Sequence, residues 1–308
     1  MAGQQLTFRG REINGSGEIL SLGDMDLSFA DGFSNNNKTL ANGNLTLNVN
    51  NSLINNALLG AGGKLNVQAS NIDNQTTGEL SSQQTTLNAS DTLSNRGLID
   101  GILTRINANT INNIGTGRIY GDGLAIGAAT LNNLAENNSS ATIAARQRLD
   151  LGVGTLNNRD RALIYSNGDM AIGGALDADA LATGKAGEIN NHSSTIESVG
   201  NMSLSFTTLN NINDNFVTRF IQLSQKQKNE YMVVDLNNGV HYSPDDYNIS
   251  FYKNEVRHIC IEGVVCGRDH YYQYSYTETV REEQIAQSEA TRRKSSRAVR
   301  FRSPAISC

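Results

Sequence analysis

One short phrase constrains this chain more than any other feature. An aliphatic or aromatic residue, one further residue and then Asn recur as Phe33-Ser34-Asn35, Leu53-Ile54-Asn55, Ile72-Asp73-Asn74, Leu93-Ser94-Asn95, Ile111-Asn112-Asn113, Leu131-Asn132-Asn133, Leu156-Asn157-Asn158, Ile189-Asn190-Asn191 and Leu209-Asn210-Asn211. Successive Asn residues stand 20, 19, 21, 18, 20, 25, 33 and 20 positions apart. A fixed period of this size marks a repeat architecture, in which one unit is too small to bury its apolar side chains and its neighbours must complete the core.

Between the phrases lies a second recurring unit that alternates apolar and polar residues, as in "GNLTLNV" (43–49), "GKLNVQA" (63–69), "RLDLG" (148–152) and "GNMSLSF" (200–206). Alternation at period two is the pattern of a strand with one buried face. Coils of about 20 residues, each with two or three short strands and Gly- or Asn-rich corners, predict an all-β fold, a right-handed parallel β-helix. Its coils would be spaced by the ordinary strand separation of about 4.8 Å. Composition agrees: only 18% of residues are charged, and the Glu, Lys, Arg and Leu at helical spacing that a helical protein of this size carries are missing. Propeller blades need about 40 residues and aromatic motifs, which this repeat lacks. Asn55, Asn74, Asn95, Asn113, Asn133, Asn158, Asn191 and Asn211 are expected to form a hydrogen-bonded ladder at one corner, where Asn tolerates left-handed backbone angles. The wider spacings predict loops at 136–147 and 177–188, projecting from a corner.

Three segments follow from the pattern: a parallel β-helix over 1–213, a β-rich non-repeat excursion over 214–289, and a basic tail over 290–308 without regular structure. The second begins where the Asn phrase stops, and holds eight of the ten Tyr, including the alternating Tyr272, Tyr274 and Tyr276. The tail carries six Arg or Lys and no acid in a chain of net charge -5.

The chemistry-bearing residues are sparse. Three Cys are too few for a disulfide scaffold. Cys260 and Cys266 would suit a disulfide closing a hairpin, two free thiols, or, with His258 and His270, a zinc site of unusual spacing. Polysaccharide-cleaving β-helices need carboxylates gathered on one face. The nearest here, Asp150, Asp160 and Asp169, fall at different phases of the repeat, and no phosphate-binding loop or nucleophile motif is present. The sequence therefore predicts no catalytic residues, no cofactor and no metal. No apolar run is long enough to span a membrane as a helix, and no signal peptide is visible at the N-terminus.

The cadence from "GNLTLNV" through "LINNALLGAGGKLNVQASNIDN" to "SLSFTTLNNIND" resembles the haemagglutinin repeats of filamentous haemagglutinins and of the contact-dependent growth inhibition exoproteins of Gram-negative bacteria. The resemblance covers residues 10–213, and "NINDNF…YYQYSYTETV" looks like the non-repeat segment that follows such arrays. It implies a secreted, rod-like, non-enzymatic segment of a cell-surface exoprotein, exported by a partner outer-membrane two-partner-secretion transporter. Such a rod presents a distal adhesion or toxin-delivery region to a target-cell receptor. Residues 214–289 are a second candidate for that receptor contact, and a carbohydrate-active enzyme is a third reading; neither nucleic-acid binding nor membrane insertion is expected. The resemblance also predicts a strand phrase where the basic tail begins. One choice of codons for residues 291–308 reads in another frame as A-K-K-I-I-A-G-G-A-I-S-I-T-G-D-K-L, so the tail is expected to be out-of-frame text closing a truncated exoprotein.

Overall fold

The computed structural model describes residues 2–233 apart from 16, then 241–242, 249–252, 255–259, 265–287 and 297–304, with side chains through residue 226 and at 279–282. The described elements are all strands. The chain forms two units, Met1–Asp214 and Asn215–Cys308.

The first unit is a parallel β-solenoid of about ten coils, each residue pairing with one roughly 20 positions away. The register makes the repeat explicit. On one face Ile19, Thr39, Leu59, Leu80, Ile99, Ile119, Ile143, Ile164 and Ile196 stack in a single column. A second face supplies two inward columns, one running from Leu6 through Met25, Leu45 and Leu65 to Leu149, Met170 and Met202. The other runs from Phe8 through Leu27, Leu47, Val67, Leu87, Ile106, Ile126, Leu151 and Ile172 to Leu204. The third face carries the repeated phrase, its aliphatic residue and its Asn both turned inward: Leu53 and Asn55 are buried while Ser52 and Ile54 are not.

These columns are the core. Leu27, Leu45, Leu47, Leu65, Leu87, Ile106 and Leu131 are fully buried, and each aliphatic side chain removed from water contributes roughly 1.5–3 kcal/mol before chain entropy is counted. The interior is not wholly aliphatic: Thr85 and Thr104 occupy two steps of the Leu65 column, fully buried. Each hydroxyl donates to a backbone carbonyl of the next coil, Thr85 to Asp100 and Thr104 to Tyr120, both at 2.8 Å. A buried hydroxyl is tolerable only with such a partner.

The corner between the first and second faces is narrow and takes small side chains, the column Ser21, Ala41, Ala61 and, further along, Ala145, Ser166, Ser198. Ser21 and Ser166 each donate to the carbonyl three residues on, at 2.9 and 2.8 Å, which tightens the bend.

In the second unit a long strand, Val217–Val233, pairs antiparallel with Val265–Gln287 from Val217 opposite Gln287 to Val233 opposite Tyr271. Glu255–Ile259 pairs with the start of Val265–Gln287 and with Ile249–Tyr252. Within the segment expected to lack regular structure, Arg297–Pro304 forms a strand antiparallel to Val265–Gln287, with Arg302 opposite Glu278 and Arg297 opposite Glu283. Val299 and Phe301 alternate with Arg300 and Arg302 in the sequence, a period-two pattern compatible with a strand.

Candidate functional site

The ladder at the third face is a continuous polar feature of the first unit. Each ladder Asn donates one side-chain N–H to the Oδ1 of the next: Asn35 to Asn55, Asn55 to Asn74, Asn74 to Asn95, and so on through Asn113, Asn133, Asn158 and Asn191 to Asn211, at 2.7–2.8 Å throughout. The same amide also donates to a backbone carbonyl where the next coil begins, Leu58 for Asn35, Arg118 for Asn95 and Thr195 for Asn158, at 2.9–3.3 Å. Asn55 through Asn158 are fully buried, so both donors of a desolvated amide find acceptors inside the stack, as burial requires. Corner glycines fit against this ladder: a Cβ at Gly117 would collide with Asn113 Oδ1 and the Asn95 carbonyl.

A second ladder, which the sequence reading did not identify, runs outside the first. Asn132 donates to Asn112, Asn157 to Asn132, Asn190 to Asn157 and Asn210 to Asn190, at 2.8–3.0 Å. Its signal was in view as the first Asn of each Asn-Asn doublet. The two ladders have opposite polarity, the inner donating toward the C-terminal coil and the outer toward the N-terminal one.

The three Asp weighed for catalysis do not meet at a site. Asp150 is buried beneath a hairpin formed by Ala175–Leu176 and Ala182–Thr183. It accepts from Arg148 at 2.7 and 3.0 Å and from the backbone N–H of Ala182 at 3.0 Å. That bidentate pair raises the Arg148 pKa above its ordinary value. Asp169 Oδ1 accepts from the backbone N–H of Asn201 in the next coil, as Asp24 does from Asn44. Asp160 holds a left-handed backbone angle at a corner, and its carbonyl accepts from Ser140. Each works as a joint between coils.

The two insertions are short hairpins. In the first, Asn137 and Asn138 both adopt positive φ, 50° and 61°, between paired Ala135–Glu136 and Ser139–Ser140. This is the two-residue turn that suits antiparallel strands, and Asn is among the few residues that enter it cheaply. Glu136 is clamped by Arg96 at 2.7 and 2.9 Å, and these hydrogen bonds hold its carboxyl below the usual carboxylate range. At the far end Arg146 bridges Asp100 and Asp122, which raises the arginine pKa. The second insertion lies flat because the stack beneath it is glycine: a Cβ at Gly152 would collide with the backbone of Ala175 and Leu176. Beside it a groove of about 720 Å³ runs along the corner, lined by Gln68, Asn88, Asn107 and small residues including Ala69 and Ala108, and by Leu176 of the hairpin. Its lining holds no ionisable side chain, which suits contact with neutral polar groups and offers nothing for acid–base chemistry.

Cys260 lies outside the described residues, so neither the Cys260–Cys266 pair nor a zinc site with His258 and His270 is defined. The backbone register places His258 opposite Gly267 and His270 opposite Glu255. Among the residues whose side chains are described, no cluster of His, Cys, Asp or Glu could hold a metal ion.

Comparison with known proteins gives one result of weight. The model of the haemagglutinin repeat matches residues 40–115, 123–175 and 157–218, together more than half of the chain. No curated protein and no solved structure matches it.

Proposed function

Since the chain belongs to the haemagglutinin-repeat family, whose members are adhesin-like proteins of the cell surface, we propose that its repeat unit is a structural spacer. In this reading it holds a distal adhesive or toxin-bearing region away from the cell that exports it. The observation that carries the proposal is the unbroken inner ladder from Asn35 to Asn211 with mostly apolar inward columns beside it. Such a stack has mechanical continuity and keeps its polar groups for itself. The engagement of the Asp150 and Asp169 carboxylates in bonds that hold coils and hairpin together supports the non-enzymatic reading over the carbohydrate-active one.

The partner implied is an outer-membrane transporter of the two-partner type, with a target-cell receptor beyond it. The second unit, rich in Tyr, is the part of this chain suited to that contact, since Tyr offers large contact area at low entropic cost. The test is binding of target-cell envelopes to the immobilised 308-residue chain, with and without substitution of Tyr272, Tyr274 and Tyr276 by Ser. Under the spacer reading the two behave alike and binding does not saturate. Saturable binding lost on substitution would transfer receptor recognition to residues 214–289, and turnover of envelope glycan by the chain would overturn the non-enzymatic assignment.

A further inference from the structure

Two Asn-Gly pairs, Asn42-Gly43 and Asn167-Gly168, occupy the same corner of their coils. Each follows a member of the narrow-corner column, Ala41 in one coil and Ser166 in the other. Both Asn are exposed. When Gly follows Asn, the backbone nitrogen has its easiest approach to the Asn side-chain amide, because glycine has no side chain to crowd it and its backbone turns freely. The two pairs therefore start from the same chemistry, and the fold treats them differently.

One difference lies at the nucleophile. Gly43 donates its N–H to the Gly23 carbonyl at 3.0 Å, which ties that nitrogen to the coil before it. The Gly168 N–H meets no acceptor among the described residues. The other difference lies at the electrophile. The Tyr165 hydroxyl donates to Asn167 Oδ1 at 3.3 Å. A donor on that oxygen polarises Cγ and stabilises the negative charge that develops on the oxygen as a nucleophile adds. Leu40 stands two residues before Asn42, where Tyr165 stands before Asn167, and has no donor to offer.

We propose that Asn167 is a site of self-modification, where the chain converts its own side-chain amide to a carboxylate. The Gly168 nitrogen bonds to Asn167 Cγ and gives its proton to water or buffer base. Nδ2 takes up a proton and leaves as ammonia, which closes a cyclic imide. Water then opens the ring. Addition at Cγ restores the main chain with Asp at 167. Addition at the backbone carbonyl leaves Gly168 joined through Cγ, an isoaspartate with one extra carbon in the main chain. Water enters, ammonia leaves, and nothing is oxidised or reduced.

The position of the site gives the reaction a structural consequence. Val199 donates its N–H to the Ser166 carbonyl at 2.9 Å, and Gly200 N–H and Ser198 Oγ donate to the Gly168 carbonyl at 3.0 and 2.6 Å. These two acceptors flank Asn167. An extra main-chain carbon between them sets one against the wrong donor, so the isoaspartate form loosens the attachment of 195–204. The Asp form leaves the backbone unaltered and keeps it.

Timed incubation of the intact 308-residue chain in mildly alkaline buffer, followed by proteolysis and mass mapping of the peptides that carry Asn42 and Asn167, tests this. The expected result is conversion at Asn167 about tenfold faster than at Asn42 in the folded chain, since one nitrogen is tethered and one carbonyl is polarised. In the chain held unfolded by denaturant the two rates converge. Tyr165→Phe slows Asn167 severalfold and leaves Asn42 unchanged, with far-ultraviolet circular dichroism verifying that the variant is folded. Amide exchange across 195–204 rises with the isoaspartate content of the aged chain, while Asn167→Asp exchanges like the fresh chain. Conversion of Asn42 as fast as Asn167 in the folded chain would overturn the assignment. So would an Asn167 that persists in the folded chain over the time in which the unfolded chain converts. An unchanged rate in Tyr165→Phe would remove Tyr165 from the reaction, and unchanged exchange in the aged chain would refute the loosening of 195–204.

Discussion

At the scale of single residues, the inner ladder and the outer one differ in water and therefore in energetic weight. Asn113 is fully buried between Asn95 and Asn133. Asn113→Ala leaves the Asn95 donor and the Asn133 acceptor desolvated without a partner, and should lower unfolding free energy by about 1–3 kcal/mol. Asn132→Ala removes the same chemistry from a half-buried row that water can reach, and should cost less than about 1 kcal/mol. Denaturant midpoints for the two variants, with unchanged slopes, measure the difference. Gly117→Ala belongs with the first class, since its new Cβ meets the ladder itself, and overpacking of that kind costs about 1–3 kcal/mol. The inner ladder is legible from the sequence because its Asn recur at coil spacing. The tasks of Thr85 and Asp150 are not, because their partners are backbone groups 15 and 32 positions away that only the fold brings near.

At the scale of elements, the hairpins show how an insertion is kept without disturbing the stack. Their positions follow from the 25- and 33-residue spacings, but composition alone suggests projecting loops. What holds them is local: two Asn in left-handed conformation close the turn of the first, and glycine beneath with Asp150 below seats the second against the stack. Asp150→Ala should release Ala182 and accelerate amide exchange across 175–183 while leaving the rest of the stack protected. Equal exchange in both proteins would show that the hairpin holds by packing alone. The Arg96–Glu136 clamp gives a pH dependence of defined sign. The folded-state pKa of Glu136 is depressed, first by its hydrogen bonds to Arg96. Its contribution is thus complete above the ordinary carboxylate range, near pH 4.3, and disappears as pH falls through the lower folded value. Amide exchange at 136–140 should rise in that acid window in the native chain. In Arg96→Ala it should already be raised at neutral pH, with little further change on acidification.

At the scale of the whole solenoid unit, the coil is the exchangeable part, since stability in such arrays is close to a sum of unit and neighbour terms. Ser52 pairs with Asn71 and Asn55 with Asn74, so deleting residues 52–70 removes one full period and returns Asn71 to the place of Ser52. Asn35 then faces Asn74, and the ladder and aliphatic columns close again one step shorter. Deleting residues 52–61 removes half a period: Leu65 takes the place of Asn55 and leaves Asn35 without its partner, and the turn residues Gln75 and Thr77 fall opposite Leu45 and Leu47 where Leu65 and Val67 stood. The most direct measurement is the thermal unfolding of these two deletions beside the intact chain, followed by far-ultraviolet circular dichroism. The account predicts that the full-coil deletion keeps the β signal and unfolds cooperatively within several degrees of the intact chain, while the half-coil deletion loses much of both. Equal behaviour of the two deletions, whether equally tolerated or equally ruinous, would contradict a stack of interchangeable coils.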